Sequence, residues 1–151
     1  MTRTIAFFTD FGSQDIYVGQ LHAAAKKTGS DCPLVDLFHD VNSFDIHAGA
    51  SLLAAMLDYL PHNAIVVGVV DPGVGGKRLP IAVELGERWL VGPDNGLFSR
   101  SIAWSTSEAQ YWTLEIPIDV SKTFHGRDVF LPAAIDLADG ELGRIRRIED
   151  V

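Results

Sequence analysis

The sequence predicts a single α/β domain of three layers, in which a mostly parallel sheet lies between helices. Two observations predict this class. Short apolar runs alternate with segments of helical period, and polar residues follow directly after several of the apolar runs. A length of 151 residues suits one domain and is sufficient for a sizeable core. We therefore expect residues 1–151 to fold as one unit.

The first half of the chain alternates between strand and helix. The predicted elements are a strand at Thr4–Phe8, a helix at Ile16–Lys27, a strand at Leu34–Phe38 and a helix at Ile46–Leu60. Asp15 and Asp45 stand immediately before the two helices, and aspartate is a favoured N-cap residue. We expect each of them to cap the helix that follows.

The second half begins with the strongest strand signal, because Ala64–Val70 is continuously apolar and rich in β-branched residues. The later predicted elements are strands at Ile81–Leu85 and Trp89–Val91, a helix-like stretch at Leu97–Trp104, an edge strand at Gln110–Leu114 and a helix at Val129–Ala138. Asp128 is the expected cap of the last helix.

Composition excludes several classes of protein. The chain is 47% hydrophobic and 21% charged, which excludes intrinsic disorder, and it lacks an apolar stretch of membrane-spanning length. A net charge of −8 argues against a nucleic-acid partner, and the basic cluster Arg144, Arg146 and Arg147 is predicted to be a frayed terminus. The single Cys32 excludes an intrachain disulfide. The start of the chain does not resemble a signal peptide, so we expect a cytoplasmic protein with no membrane partner.

Polar residues cluster where the predicted strands end. Thr9–Asp10, His39–Asp40, Asp71 and Pro93–Asn95 each follow an apolar strand candidate. In an open α/β sheet, ligands bind at the carboxyl ends of the strands. The sequence therefore predicts that these groups converge on one ligand crevice.

The segment TDFGSQD contains two carboxylates, Asp10 and Asp15. A carboxylate accepts two O–H hydrogen bonds and therefore suits the vicinal hydroxyls of a ribose. The alternative is that Asp10 only forms a turn and Asp15 only caps a helix. The local pattern leaves both interpretations open.

Four further residues are candidates for a site. Asp71 and Arg78 flank a glycine-rich segment, where they form either part of a site or a loop-closing ion pair. His125 is a candidate general base or hydrogen-bond relay, or else a polar loop residue with satisfied bonds. Phe44 is placed either to stack on a ligand or to pack against the core.

In combination these motifs resemble the S-adenosyl-L-methionine hydroxide adenosyltransferases, the S-adenosylmethionine hydrolases that are related to fluorinases and chlorinases. The resemblance covers nearly the whole chain. The motifs that carry it are TDFG (Thr9–Gly12), Asp15, YVG (Tyr17–Gly19), FDI (Phe44–Ile46), AGA (Ala48–Ala50), VVDPGVG (Val69–Gly75) with Arg78, PDNG (Pro93–Gly96) and HGRD (His125–Asp128).

The resemblance implies cleavage of S-adenosylmethionine to adenosine and L-methionine by attack of water or hydroxide on the ribose C5′. It implies no cofactor and no metal, since S-adenosylmethionine is the substrate. The family's Asp–Arg–His set falls on Asp71, Arg78 and His125, and we expect the aspartate and the histidine to orient the water and accept its proton. The remaining implied contacts are Asp10 on the ribose hydroxyls, Asp15 near the methionine end and Phe44 against the ribose.

The resemblance also implies a homotrimer whose active sites are completed by a smaller β-rich second domain of a neighbouring subunit. The chain ends about where the first domain of the family ends, so we expect that second domain to be absent. Two alternatives stay open. One is a non-catalytic module that binds adenosine or S-adenosylmethionine. The other is a metal-dependent hydrolase that uses Asp10, His39, Asp71 and Asp94.

Overall fold

A computed structural model describes residues 2–72, 78–118 and 124–148 of the chain. The strands are β1 (Ile5–Thr9), β2 (Leu34–Phe38), β3 (Ile65–Val69), β4 (Pro80–Leu85), β5 (Arg88–Pro93), β6 (Ala109–Leu114) and β7 (Ile145–Ile148). The helices are α1 (Tyr17–Lys27), α2 (Ile46–Met56), α3 (Ser99–Trp104) and α4 (Leu131–Ala138), with a 3-10 turn at Leu57–Tyr59 and a π-helical turn at Gly126–Phe130.

The strands form one seven-stranded sheet in the order β2-β1-β3-β5-β4-β6-β7. The pairings β1–β2, β1–β3 and β3–β5 are parallel, whereas β4–β5, β4–β6 and β6–β7 are antiparallel. Because two antiparallel pairings in succession restore the direction, β6 runs the same way as β5. The predicted α/β class is confirmed, and the sheet is mixed, with its parallel half on the side of β1, β2 and β3.

Both faces of the sheet are covered, which confirms the three layers. Successive side chains of β1 point to opposite faces. Phe7 packs in one apolar cluster with Leu21 of α1 and Leu131 of α4. Phe8 packs in a second cluster with Leu53 of α2. Every residue of β1 is buried, so the end of this strand is held firmly in the centre of the domain.

One of the three predicted helix caps is confirmed. The Asp45 carboxylate accepts a hydrogen bond from the Ala48 backbone N–H at 2.9 Å, as an N-cap does. The cap position of α1 is Ile16, and Asp15 bonds only the adjacent Ile16 N–H, so the prediction for Asp15 is wrong. The prediction for Asp128 is also wrong, because this residue lies within the π-helical turn and pairs with the neighbouring Arg127 at 2.7 Å.

The arginine-rich segment near the C-terminus is a strand rather than a frayed end. Ile145 is buried, and β7 pairs with β6 from Leu114 to Tyr111. The predicted strand at Gln110–Leu114 therefore exists as β6, but it is not an edge strand. The charged residues of β7 hid the strand pattern in the sequence. Arg146 is exposed, and its guanidinium lies 3.3 Å from the Glu115 carboxylate. In the described part of the chain, no helix has both the length and the apolar character that crossing a membrane requires.

Candidate active site

Asp10 and Asp71 lie next to each other where the neighbouring parallel strands β1 and β3 end. The Asp71 backbone N–H donates to Asp10 Oδ2 at 3.3 Å, and the Asp10 N–H donates to the Val69 carbonyl at 3.1 Å. Burial raises the pKa of Asp10 above 3.8, and the like charge of Asp71 adds to that rise. The predicted convergence of these two strand ends is confirmed.

Asp71 and Arg78 form a nearly buried ion pair that also touches His125. Arg78 Nε lies 3.1 Å and 3.0 Å from the two carboxylate oxygens, and Nη2 contacts Oδ2 as well. The same Nη2 lies 3.1 Å from His125 Nδ1. The side chains of Arg78 and Asp71 are only 10% and 4% exposed. The three residues that the family resemblance groups together are therefore neighbours, while their catalytic role stays a prediction.

The contact with Arg78 fixes which ring nitrogen of His125 carries the proton. A guanidinium group can only donate hydrogen bonds, so Nδ1 is the acceptor and the neutral ring is protonated on Nε2. Burial and the charge of Arg78 both lower the pKa of His125 below 6.5. Among the described residues, Nε2 has no hydrogen-bond partner. His125 is thus a neutral ring whose Nε2–H is not engaged by any residue that the structure describes.

The π-helical turn that begins at Gly126 holds His125 in place. Turns of this kind are rare and often occur at functional sites. The His125 ring meets the ring of Phe130 edge to face, with centroids 6.4 Å apart, and the Arg78 guanidinium carbon lies 6.0 Å from the same ring. A Cβ on Gly126 would lie 2.7 Å from the ring of Phe11. The glycine of the HGRD motif is therefore required for the close approach of this aromatic ring.

A pocket of about 250 Å³ opens beside these groups. This is near the lower end of the usual range for small-molecule sites, about 300–1,000 Å³. Its lining residues are Asp10, Phe11, Tyr17, Val69, Asp71, Phe124, His125 and Gly126. The pocket thus combines two carboxylates and an imidazole with an aromatic wall.

Sequence reasoning missed this aromatic wall. The ring of Phe124 lies 5.3 Å from both Phe11 and Tyr17, in edge-to-face arrangements. Phe11 and Tyr17 stand inside the TDFG and YVG motifs, and Phe124 directly precedes HGRD. Their positions within or beside these motifs were the sequence feature from which the aromatic wall could have been predicted.

The other two predicted binding residues do not line the pocket. Asp15 is exposed and bonds its neighbour's N–H, and Phe44 is 90% exposed. Their predicted contacts with substrate stay predictions. Asn95 supports the site indirectly, because its side-chain amide donates to the Val70 carbonyl at 2.8 Å, directly before Asp71. Residues 73–77 of the glycine-rich segment lie outside the described residues.

The described residues contain no group of three or more His, Cys, Asp or Glu side chains placed to hold a metal ion. Of the four residues in the metal hypothesis, Asp94 is exposed. His39 instead uses its two ring nitrogens to bond Thr9 and Asp36. Nothing in this geometry favours the metal-dependent alternative.

Comparison with known proteins gives concordant results. Residues 5–147 match the family described as SAM hydroxide adenosyltransferase N-terminal domain. The (R)-S-adenosyl-L-methionine hydrolase of Thermus thermophilus is 41% identical over 150 residues, covering 91% of this chain. The hydrolase of the same name from Salinispora tropica is 38% identical over 143 residues, covering 92% of this chain.

A solved structure shares the fold. The crystal structure of an uncharacterized conserved protein from Thermotoga maritima superposes with a TM-score of 0.87 at 31% identity, and covers 97% of this chain and 59% of that one. The chain spans 58% of the Thermus relative and 54% of the Salinispora relative. It therefore corresponds to rather more than half of these longer proteins.

Proposed function

Because the chain belongs to the SAM hydroxide adenosyltransferase family, we propose that it hydrolyses S-adenosyl-L-methionine to adenosine and L-methionine. The observation that carries this proposal is the contact of Asp71, Arg78 and His125 beside the pocket. The relatives named as S-adenosylmethionine hydrolases support the choice of substrate.

The proposed reaction is an in-line displacement at the ribose C5′. The oxygen of a water molecule bonds to C5′ while the bond from C5′ to the sulfonium sulfur breaks. The bonding electrons pass to sulfur, which leaves as the neutral thioether of methionine, so no general acid is needed. Alignment of the three atoms in a closed site contributes up to about 7–11 kcal/mol in well-ordered cases.

Asp71 is the group best suited to take the proton from water. A carboxylate has about four lone-pair sites, and the two N–H groups of Arg78 leave acceptor capacity free. His125 has its Nδ1 engaged, so its Nε2–H is a donor that stabilises the developing hydroxide. Sequence reasoning gave the acceptor role to both residues. We assign it to Asp71 alone, because His125 Nδ1 already accepts a hydrogen bond from Arg78.

Asp10 is proposed to accept hydrogen bonds from the ribose hydroxyls, since its carboxylate lines the pocket beside Asp71. The family resemblance supports Asp15 near the methionine end and Phe44 against the ribose. It also supports a homotrimer that needs no cofactor, with residues 1–151 acting as the first domain. The buried, unpaired Cys32 fits a reducing compartment such as the cytoplasm.

Incubation with S-adenosylmethionine, followed by chromatography and mass analysis, tests the function. We expect adenosine and methionine from the parent, and about 10²–10⁴-fold slower release from Asp71→Ala and His125→Ala. The exposed residues Asp58 and His62 provide matched controls as Asp58→Ala and His62→Ala.

Undiminished release of adenosine from either site variant would contradict the assignment. Calorimetry with adenosine and S-adenosylmethionine separates catalysis from mere binding. A parent that binds both ligands without forming products would be a binding module rather than a hydrolase.

A further inference from the structure

A second buried histidine lies next to the site on the neighbouring strand end. We propose that His39 is a positioning residue, which holds the turn that carries Asp10 and whose ring state is fixed by Asp36. This inference rests on the proposed function, since it assigns to Asp10 the binding of ribose.

The hydrogen bonds form a continuous chain from helix α1 to the pocket. His22 Nε2 lies 2.9 Å from Asp36 Oδ1, and His39 Nε2 lies 2.7 Å from the same oxygen. His39 Nδ1 lies 2.6 Å from Thr9 Oγ1, which accepts the Phe11 backbone N–H at 3.2 Å. This series of hydrogen bonds therefore ends at Phe11, the residue that follows Asp10.

Chemistry determines which group donates in the hydrogen bonds to Asp36. The pKa of Asp36 lies below 3.8, since its bonds to His22 and His39 outweigh the effect of burial. An ionised carboxylate only accepts, so both histidines donate to it through Nε2. With a single ring proton on Nε2, His39 has a bare Nδ1, which accepts the Thr9 hydroxyl. The Thr9 oxygen keeps its lone pairs for the Phe11 N–H.

A carboxylate, an imidazole and a hydroxyl in this order also form the activated nucleophile of many hydrolases. Here that chemistry is excluded, because Thr9 is 0% exposed and its oxygen already accepts a backbone N–H. His39 itself is 5% exposed. Asp36, His39 and Thr9 therefore act by fixing the position of the backbone, and Thr9 does not attack a substrate.

The turn around Asp10 depends on this strand end at several points. The Gly12 N–H donates to the His39 carbonyl at 2.7 Å, and the Val41 N–H donates to the Thr9 carbonyl at 3.3 Å. His39 thus holds the turn by its ring at one end and by its carbonyl at the other. Asp10 and Phe11 enter the pocket from the segment between these attachments.

The first test compares Thr9→Val with Thr9→Ser, which differ in the hydroxyl. Thr9→Val removes the hydroxyl that bonds both His39 Nδ1 and the Phe11 N–H. We expect the loosened turn to weaken ribose binding by roughly 2- to 10-fold, the order of magnitude of one hydrogen bond. We expect Thr9→Val to raise KM and the Kd for adenosine by about that factor with kcat nearly unchanged, because ribose binding acts on substrate and transition state alike. Thr9→Ser should restore the parent values. Thr113→Val removes a strand hydroxyl on β6 and serves as control.

The second test determines directly which nitrogen of the His39 ring carries a proton. Two-dimensional proton–nitrogen spectra of the parent should show a proton on Nε2 and a bare Nδ1. Asp36→Ala, at a position with a 42% exposed side chain, should fold and should let the Nδ1-protonated ring appear, with a rise in KM of the same size. These spectra need no turnover, so they report on His39 even if the parent releases no adenosine.

Three results would overturn the proposal. The first is a parent ring protonated on Nδ1, and the second is unchanged KM and Kd in both Thr9→Val and Asp36→Ala. A fall in kcat with unchanged KM would equally contradict it, because it would place the effect on the reacting atoms. Failure of the parent to hydrolyse S-adenosylmethionine, with the predicted spectra and Kd shifts intact, would refute the proposed function alone.

Discussion

His39 and His125 occupy comparable positions and differ in what they can do. Both are almost completely buried, at 5% and 4% exposure, near the carboxyl edge of the sheet. Each has an Nδ1 that accepts a hydrogen bond from a side chain, Thr9 for one and Arg78 for the other. The difference lies at Nε2. In His39 it donates to Asp36, whereas in His125 it has no partner among the described residues.

Burial and a nearby carboxylate are common to both histidines, so these two features alone do not indicate a catalytic role. His39 has both ring nitrogens engaged by protein groups and no place on the pocket wall, so it is suited to hold structure. His125 borders the pocket and lies beside the positive charge of Arg78, and its Nε2–H has no partner within residues 2–72, 78–118 and 124–148. The proposed roles therefore differ because only His125 lines the pocket, with an Nε2–H that no described residue binds.

Among substitutions near His125, replacement of Arg78 should have the largest effect on the rate of adenosine release. Arg78→Lys keeps the charge but cannot bridge both Asp71 oxygens and the imidazole, since an ammonium group lacks the planar fork. We expect turnover to fall by about 10²-fold or more, the range for loss of positioned proton transfer, with little change in unfolding temperature. Rates of adenosine release measure this fall in turnover. Near-parental turnover would show that charge alone is sufficient at this position.

Gly126→Ala should disturb both the His125 site and the turn that carries Asp10, because Gly126 adjoins His125 and contacts Phe11 of that turn. The added Cβ would lie 2.7 Å from the Phe11 ring. Overpacking of this kind costs about 1–3 kcal/mol in the free energy of unfolding, which urea titration measures.

Gly19→Ala is the matched control, because nothing lies within 4 Å of a Cβ there and the position is helical. It should raise stability by roughly 0.5–1 kcal/mol. Equal effects of the two substitutions would show that the contact with Phe11 is unimportant.

The pH dependence of His125 sharpens the comparison further. Its folded pKa lies below 6.5, so between that pKa and 6.5 the unfolded chain binds more protons than the folded one. This contribution to stability is therefore complete above about pH 6.5 and is lost as the pH falls through this window. Ring resonances in an NMR titration should give the lowered pKa, and Arg78→Gln should raise it. A parent pKa at or above 6.5 would contradict the assigned environment.

An exposed histidine should show the smallest effect. His62 lies on the surface at the far end of α2, as the sequence predicted. His62→Gln should change the free energy of unfolding by no more than about 0.5 kcal/mol and leave adenosine release unaltered. A large loss in either measurement would mean that burial does not distinguish the histidines of this chain.

The sequence predicted the parts of the fold that depend on local pattern. The apolar runs at β1 and β3 gave buried parallel strands, and the polar residues after them gave the site at the carboxyl edge. The contact of Arg78 with His125 joins residues far apart in the chain, and only the resemblance to a family predicted it.

The remainder depended on partners that a local pattern does not encode. Asp36 is an exposed strand residue, and its role appears only when His22 on α1 and His39 are placed beside it. The strand β7 was hidden by its arginines, since hydrophobic alternation is weak where one side of a strand is charged. The π-helical turn at Gly126 likewise replaced the predicted cap at Asp128, because tertiary contacts with Phe11 decide the backbone there.

The most direct test of the proposed reaction is hydrolysis of S-adenosylmethionine in heavy-oxygen water by the parent and by His125→Ala. Attack of water on C5′ predicts that the heavy oxygen appears in the 5′-hydroxyl of adenosine, that methionine stays unlabelled, and that the variant releases label far more slowly. Label in the amino-acid product, or adenosine formed at equal rates by both proteins, would contradict the account.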